Sequence, residues 1–381
     1  MMNVLIAIDS FKGSLSARKL VHAIEEGIKS VYEDANIRKT PIGDGGEGTI
    51  DSLIEGLHGQ LVYKTVKGPL FEDVKAYYGI LPGGNTAILE MAISSGLPLV
   101  KPTLRDPRNT TTYGVGELII DALDKGVREF IVGIGGSATN DGGIGMLSAL
   151  GYKFFDKENK ELSPIGASLA KIERIDNSAL DPRLKETTFL VACDVDNPLC
   201  GPRGASHTYG PQKGATPDIV EELDMGLLHF SKLVRDSLQI DKAHLEGAGA
   251  AGGLGYGFAA LLNGELRPGI DIVFEQLAFE DQLKDIDIII TGEGQIDFQS
   301  VMGKALAGVA RAAKKKHIPV IALGGSVKDE AYQLHNLGIT SIFSIINHPI
   351  SLEDAMNEDI ATNFMKRNVE EVFRLIKTIK K

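Results

Sequence analysis

Seven acidic residues, Asp9, Asp44, Glu47, Asp194, Asp196, Glu293 and Asp297, stand just after stretches that read as β-strands. Open α/β sheets gather their ligands outside the carboxyl ends of the strands, so a carboxylate there can deprotonate a substrate hydroxyl or hold Mg²⁺ against phosphates. A single such residue more often caps a helix or shapes a turn, whereas three or more converging make a site. Cations accompany them. Lys12 lies in DSFKGS, Arg105 and Arg108 in LRDPRNTTTYG, Arg203 and Lys213 in CGPRGASHTYGPQKGA, and Lys304 in GQIDFQSVMGK. A cation among glycine, serine and threonine amides is what a phosphate or carboxylate requires.

The densest loop is GIGGSATNDGG, from Gly133 to Gly143, after an apolar strand and before a helix at 144–150. Gly133, Gly135 and Ala138 satisfy G-x-G-x-x-A, the dinucleotide fingerprint, with Asp156 the acidic residue nearest the expected place. That reading makes the protein an NAD-dependent hydroxy-acid dehydrogenase. Alternatively, Ser137, Thr139 and Asn140 add hydroxyl and amide donors suited to nucleotide phosphates, and a plain tight turn packing strand on helix would use the same glycines. A Walker A loop is absent from the sequence, as are H-E-x-x-H and a G-x-S-x-G around Ser10, Ser94 or Ser95. His207 is the one histidine inside a glycine window, as a ligand contact or as part of the loop's structure.

The elements that must position these residues alternate in type. A strand at 4–8, a helix capped by Ser16 and running to about Val31, a strand at 37–42 and a helix at 49–57 form a β-α-β-α series. The C-terminal hundred residues repeat it, with strands at 286–291, 319–323 and 341–346, a turn at 292–294, helices at 303–316 and 329–336, and one long helix at 353–379. Between them, strands at 62–66, 74–80 and 87–91 follow one another without helices, then a helix at 115–125, strands at 129–134 and 188–192, and an amphipathic helix at 217–238. The fold class is α/β with two domains. A doubly wound, Rossmann-like parallel-sheet domain is built from both chain ends, residues 1–62 and 284–381, and a mixed α/β domain, 63–283, is inserted. Neither end alone carries enough strands for a stable sheet.

Composition bounds the class. The chain has 381 residues, 43% hydrophobic and 24% charged, ample for real cores. A net charge of −11 disfavours nucleic acid or an anionic membrane as the partner. The two cysteines, Cys193 and Cys200, lack C-x-x-C spacing and suit reduced thiols of a cytoplasmic protein. The start, MMNVLIAID, reads as a strand rather than a signal peptide, and no apolar run reaches the roughly 20 residues of a membrane span. Glycine is in excess: 22 of 44 fall in the windows 43–48, 133–145, 201–214, 247–257 and 292–294.

Taken together, IAIDSFKGSLSA, PIGDGGEGT, LEMAISSGL, DPRNTTTYGVGELI, GIGGSATNDGGIGML, ACDVDNPLCGPRGASHTYGPQKGA, GAAGGLGYG and ITGEGQIDFQS closely resemble the bacterial glycerate kinase family, in order and to about residue 304. The resemblance implies ATP- and Mg²⁺-dependent phosphorylation of D-glycerate to 2-phosphoglycerate, with 3-phosphoglycerate the alternative regioisomer, in a cleft between two α/β domains. The expected partners are small molecules rather than nucleic acid or a membrane, with the chain a monomer or homodimer. Asp9, Lys12, Asp44, Arg108, Asn140, Asp141, Asp194, Lys213 and Asp297 match motif positions, and chemistry suggests roles for them. Asp194, Lys12 and Lys213 are the expected catalytic residues. Asp9, Arg108, Ser94, Ser95, Asn140 and Asp141 are expected at the substrate, and Gly135, Gly136, Ser137, Thr139, Gly294 and Gln295 at the nucleotide. Asp44 and Asp297 are the expected metal ligands.

Overall fold

The structure, a computed structural model, describes residues 2–40, 42–43, 49–301 and 305–379. Its strands are β1 (Asn3–Ile6), β2 (Asn36–Lys39), β3 (Gln60–Lys67), β4 (Asp73–Ile80), β5 (Thr86–Glu90), β6 (Glu129–Gly133), β7 (Lys153–Phe155), β8 (Arg174–Asp176), β9 (Thr188–Ala192), β10 (Glu265–Arg267), β11 (Ile288–Ile296), β12 (Val320–Val327) and β13 (Ser341–Ser344). The chain divides into two compact units. The first takes both ends, residues 1–44, 51–57 and 273–381; the second takes 45–50 and 58–272.

The first unit is a five-stranded sheet in the order β13-β12-β11-β1-β2, every neighbouring pair parallel. Val4, Leu5 and Ile6, like Ile289 and Ile290, are buried at consecutive positions, so apolar layers cover both faces. On one face lie the helices Ala17–Lys29 and Glu358–Ile379, whose Leu20, Ile24, Ile28, Phe364, Met365 and Val369 share a core with Val4, Ile6, Ile288 and Ile290. Ser16 caps the first of these through its side chain, as its residue type predicts. Gly27 permits their close approach, since a Cβ there would stand 2.7 Å from the Lys366 carbonyl. The alanine-rich helix Ala305–Lys315 packs against β11 and β12. From β1 the chain winds outward to β2, and from β11 it winds the other way to β12 and β13. The boundary between β1 and β11 is therefore the switch point of a doubly wound sheet.

The second unit holds a six-stranded sheet, β10-β9-β6-β5-β4-β3, parallel from β10 to β5 and antiparallel from β5 to β3, beside the small β7-β8 pair. Its core contains Tyr78, Phe130, Phe154, Phe189, Phe230, Tyr256 and Phe258. The helix Pro217–Leu238 begins at a Thr216 cap and buries Leu223, Leu227 and Phe230.

Two local expectations fail for identifiable reasons. The turn expected at 292–294 is strand: β11 continues to Ile296, paired with Val327. The glycine at 292 serves strand packing there, as a Cβ would lie 2.1 Å from the Leu323 carbonyl. The helix expected over 353–379 is two helices, Leu352–Met356 and Glu358–Ile379. Asn357 between them is extended, and its side chain accepts from the amides of Asp359 and Ile360 and so starts the second helix. Among the described residues no helix is long and apolar enough to cross a membrane.

Candidate active site

In the second unit the loop after β6 carries the expected polar residues. Lys213 ends the short turn Pro211–Lys213, and Gly214, at φ +96°, reverses the chain immediately after it. A Cβ at Gly214 would sit 2.2 Å from the Arg105 carbonyl, so glycine alone fits there. Lys213 is buried, and its Nζ donates to Ser137 Oγ at 2.8 Å and to the Thr139 carbonyl at 2.7 Å. Burial pushes the ammonium down to about 7, against the pull of the Asp141 charge. Near neutral pH this amine can both donate as a cation and accept a proton.

Asp141 is wholly buried and turned inward. Its Oδ2 accepts from the Thr112 amide and hydroxyl, both at 2.8 Å, and from the Gly145 amide, while Oδ1 accepts from the Gly143 amide. Desolvation raises its pKa, and these donors oppose the rise. The carboxylate therefore ties the loop to the start of the helix Tyr113–Asp124. Asn140 donates through Nδ2 to Ser206 Oγ at 3.1 Å, and its Oδ1 is buried without a partner among the described residues. Thr139 donates to the Ala251 carbonyl. Ser95 gives its carbonyl to the Ala138 amide and holds a buried hydroxyl without a described partner; Ser94 donates to the Met91 carbonyl. Gly135 and Gly136 are exposed on the same loop.

Arg108 and Asp194 lie in the same unit. Arg108 forks onto Asp106, Nε to Oδ1 at 3.1 Å and Nη2 to Oδ2 at 2.8 Å, with Nη1 also reaching Glu222. Asp194, two residues past the end of β9, is exposed, and its Oδ1 accepts from the Gly269 amide at 2.9 Å. His207 serves loop structure, its Nε2 at 3.1 Å from Glu221 and its Nδ1 at 3.6 Å from Asp224. Asp224 in turn accepts from the Gly201 amide.

The first unit has its own cavity, about 400 Å³, at the carboxyl ends of β1 and β11. Asp9, Lys12, Glu293, Gly294, Gln295 and Asp297 line it. Asp9 Oδ1 accepts from the Ser10 amide, Gln295 donates to Asp297, and Ser300 links the Asp297 amide to Glu293. Asp44, Glu47 and Lys304, which the sequence also nominated, lie outside the described residues.

Sequence reasoning missed Thr112, Ser206 and Asp106, each of which holds a nominated residue in place. Ser206 stood beside the singled-out His207, and Thr112 within NTTTYG, but nothing in residue order says which neighbour reaches which loop.

A parallel α/β unit with a carboxylate- and lysine-lined cavity, and a second unit with a buried lysine on a hydroxyl-rich glycine loop, define an enzyme for anionic small molecules. The chain belongs to the glycerate kinase family, whose sequence profile matches residues 4–377. It is 47% identical to a glycerate kinase of Bacillus subtilis over 100% of this chain and 99% of that one. It is also 47% identical to a glycerate 2-kinase of Escherichia coli, over 93% of each chain. A Salmonella typhimurium LT2 protein assigned as glycerate kinase 2 has a crystal structure that superposes with a TM-score of 0.91 at 43% identity, covering 100% of this chain and 99% of that one. The dehydrogenase alternative is thereby corrected. Asp156, its acidic residue, accepts from the amides of Glu158 and Lys160 in its own turn.

Proposed function

We propose that the protein transfers the γ-phosphoryl group of ATP to a hydroxyl of D-glycerate, forming 2-phosphoglycerate. The observation that carries this reading is the glycerate 2-kinase likeness, which extends over 93% of both chains. Phosphoryl transfer asks for positioning and neutralisation of charge rather than covalent catalysis. Asp194 orients or deprotonates the glycerate hydroxyl from an exposed place at a strand end. Lys12 and Lys213 neutralise transferring oxygens. Arg108 takes the glycerate carboxylate by exchanging it for Asp106, which holds the same bidentate fork. Ser94, Ser95 and Asn140 line the acid, Asp141 shapes its loop, and the 135–139 loop with Gly294 and Gln295 meets phosphate.

Mg²⁺ keeps several waters and takes one or two carboxylates together with phosphate oxygens. Among the described residues no group of three or more His, Cys, Asp or Glu side chains could hold a metal ion, so the proposed ligands are Asp297, on the cavity, and Asp44, completed by phosphate and water. When bound, the ion would neutralise phosphate oxygens. We place the reaction in the cytoplasm, with small molecules rather than nucleic acid or membrane as partners, and with the chain as a monomer or homodimer. Phosphorus NMR of the protein with D-glycerate and MgATP tests the reading. A 2-phosphoglycerate resonance with stoichiometric ADP is the expected result, 3-phosphoglycerate would correct the regiochemistry, and no phosphorylated product would end the kinase proposal.

A further inference from the structure

The lining of the first unit's cavity is of two chemical kinds. One is charged, with Asp9, Lys12, Glu293 and Asp297; the other is apolar, with Ile345, Ile346, Leu352 and Met356. A volume of about 400 Å³ lies within the range of pockets that enclose a small organic molecule. A short hydroxy acid offers nothing to the apolar wall. Two members of that wall are exposed without a structural reason, Leu352 at 80% and Met356 at 39%, on a helix none of whose residues is buried. That helix is nonetheless fixed: Ser351 caps it by accepting from the Asp354 amide, and Met356 packs beside Gly13. Ser14, also on the wall, has a buried hydroxyl without a described partner. The polar cluster around Lys213 in the second unit has a different character, with hydroxyl, carbonyl and ammonium groups and the Asp141 charge acting on them.

Building on the kinase reading, we propose that this cavity is the nucleoside pocket, with the purine base against the Ile345–Met356 wall and the phosphates toward Lys12 and Gly294. Its position, at the β1/β11 switch point, is where doubly wound sheets hold such ligands. The carboxylates suit this occupant in two ways. They accept ribose hydroxyls, or they face phosphate through a divalent cation; bare phosphate they would repel. Gly325, also on the lining, lets β12 approach β11 closely, for a Cβ there would stand 2.7 Å from the Gly294 carbonyl.

The test is a Leu352→Glu/Met356→Glu double variant, which alters only an exposed helix. ADP binding is measured by calorimetry, and steady-state constants are measured for ATP and D-glycerate. The pocket predicts that the ADP Kd and the ATP KM each rise roughly tenfold or more, while the glycerate KM stays within about twofold. A raised glycerate KM with unchanged ADP affinity overturns the assignment, and so does no change in either. Photolabelling of the unsubstituted protein with 8-azido-ADP gives a second reading: label in a peptide spanning 345–356 supports the pocket, and label in 133–143 overturns it while leaving the kinase reading intact. If the unsubstituted protein binds no ADP, with or without glycerate, the pocket and the kinase reading both fall.

Discussion

Lys213 shows at the scale of one residue how burial sets chemistry. Unfolded, its amine holds a proton up to about 10.5, and in the folded chain burial lowers that to about 7. Folding therefore releases a proton between those values, and stability rises with pH across that window. Urea titrations at pH 7, 8 and 9 should show this rise in the unsubstituted protein and lose it in Lys213→Met; equal slopes would mean that the amine is not desolvated as the structure has it. Activity should run the other way. If the charged form neutralises phosphate, kcat falls as pH climbs above about 7, and a folded Lys213→Arg should flatten that limb because guanidinium stays charged. Asp194 gives a cleaner deletion. Asparagine keeps the oxygen that accepts from Gly269 but cannot take a proton, so Asp194→Asn should lose roughly 10²–10⁴-fold in kcat with little change in Tm. Near-normal turnover would remove Asp194 from the mechanism. Residue type nominated Asp141, Asp194 and Arg108 for chemistry, but not which way they point. Asp141 faces four in-chain donors, and Arg108 already holds a carboxylate of its own chain.

Among elements, the 137–143 loop is held by an unusual neighbour. Ala251, Gly252 and Gly253 adopt left-handed backbone in succession, φ 53°, 67° and 90°. The Gly252 carbonyl accepts from the Gly142 amide at 2.9 Å, and a Cβ at Gly252 would lie 2.0 Å from the Thr139 carbonyl. That is the carbonyl to which Lys213 donates. Gly252→Ala should thus cost about 1–3 kcal/mol in backbone strain, plus the overlap, and should displace the loop and depress kcat. Gly83→Ala is the control. Its φ of +100° is strained too, but a Cβ there meets nothing within 4 Å, so it should lower Tm and leave kcat unchanged. Equal kcat in both variants would refute the role given to the 251–253 segment. Glycine clusters were plain in the sequence, yet their uses differ. Gly252 buttresses the loop, whereas Gly292 lets two strands approach where a turn was expected, because close backbone approach and tight turning both select glycine.

For the whole molecule, the division into units makes a prediction about autonomy. Every strand and core aromatic of the six-stranded sheet falls within residues 58–272. That segment expressed alone should unfold cooperatively, as followed by circular dichroism. Residues 1–57 should not fold alone, since β1 loses its partner β11 and only two parallel strands remain. A cooperative transition in 1–57 would contradict the interleaved first unit. The net charge of −11 is compatible with anionic substrates because cations can act locally, as Lys12 on the first unit's cavity and Lys213 buried in the second would.

Local patterning, by itself, determined the alternating elements, the Ser16 helix start, the strand at 188–192 and the helix at 217–238, since periodicity and capping act between near neighbours. It also nominated candidate loops, through glycine beside lysine, serine and aspartate. Tertiary structure alone decided that β1 pairs with β11, nearly three hundred residues away, that Lys213 is stripped of water beside Ser137, and that an apolar helix end at 352–356 lines one cavity with Glu293 and Asp297. Those outcomes depend on burial and on long-range register, which are properties of packed layers and not of residue order.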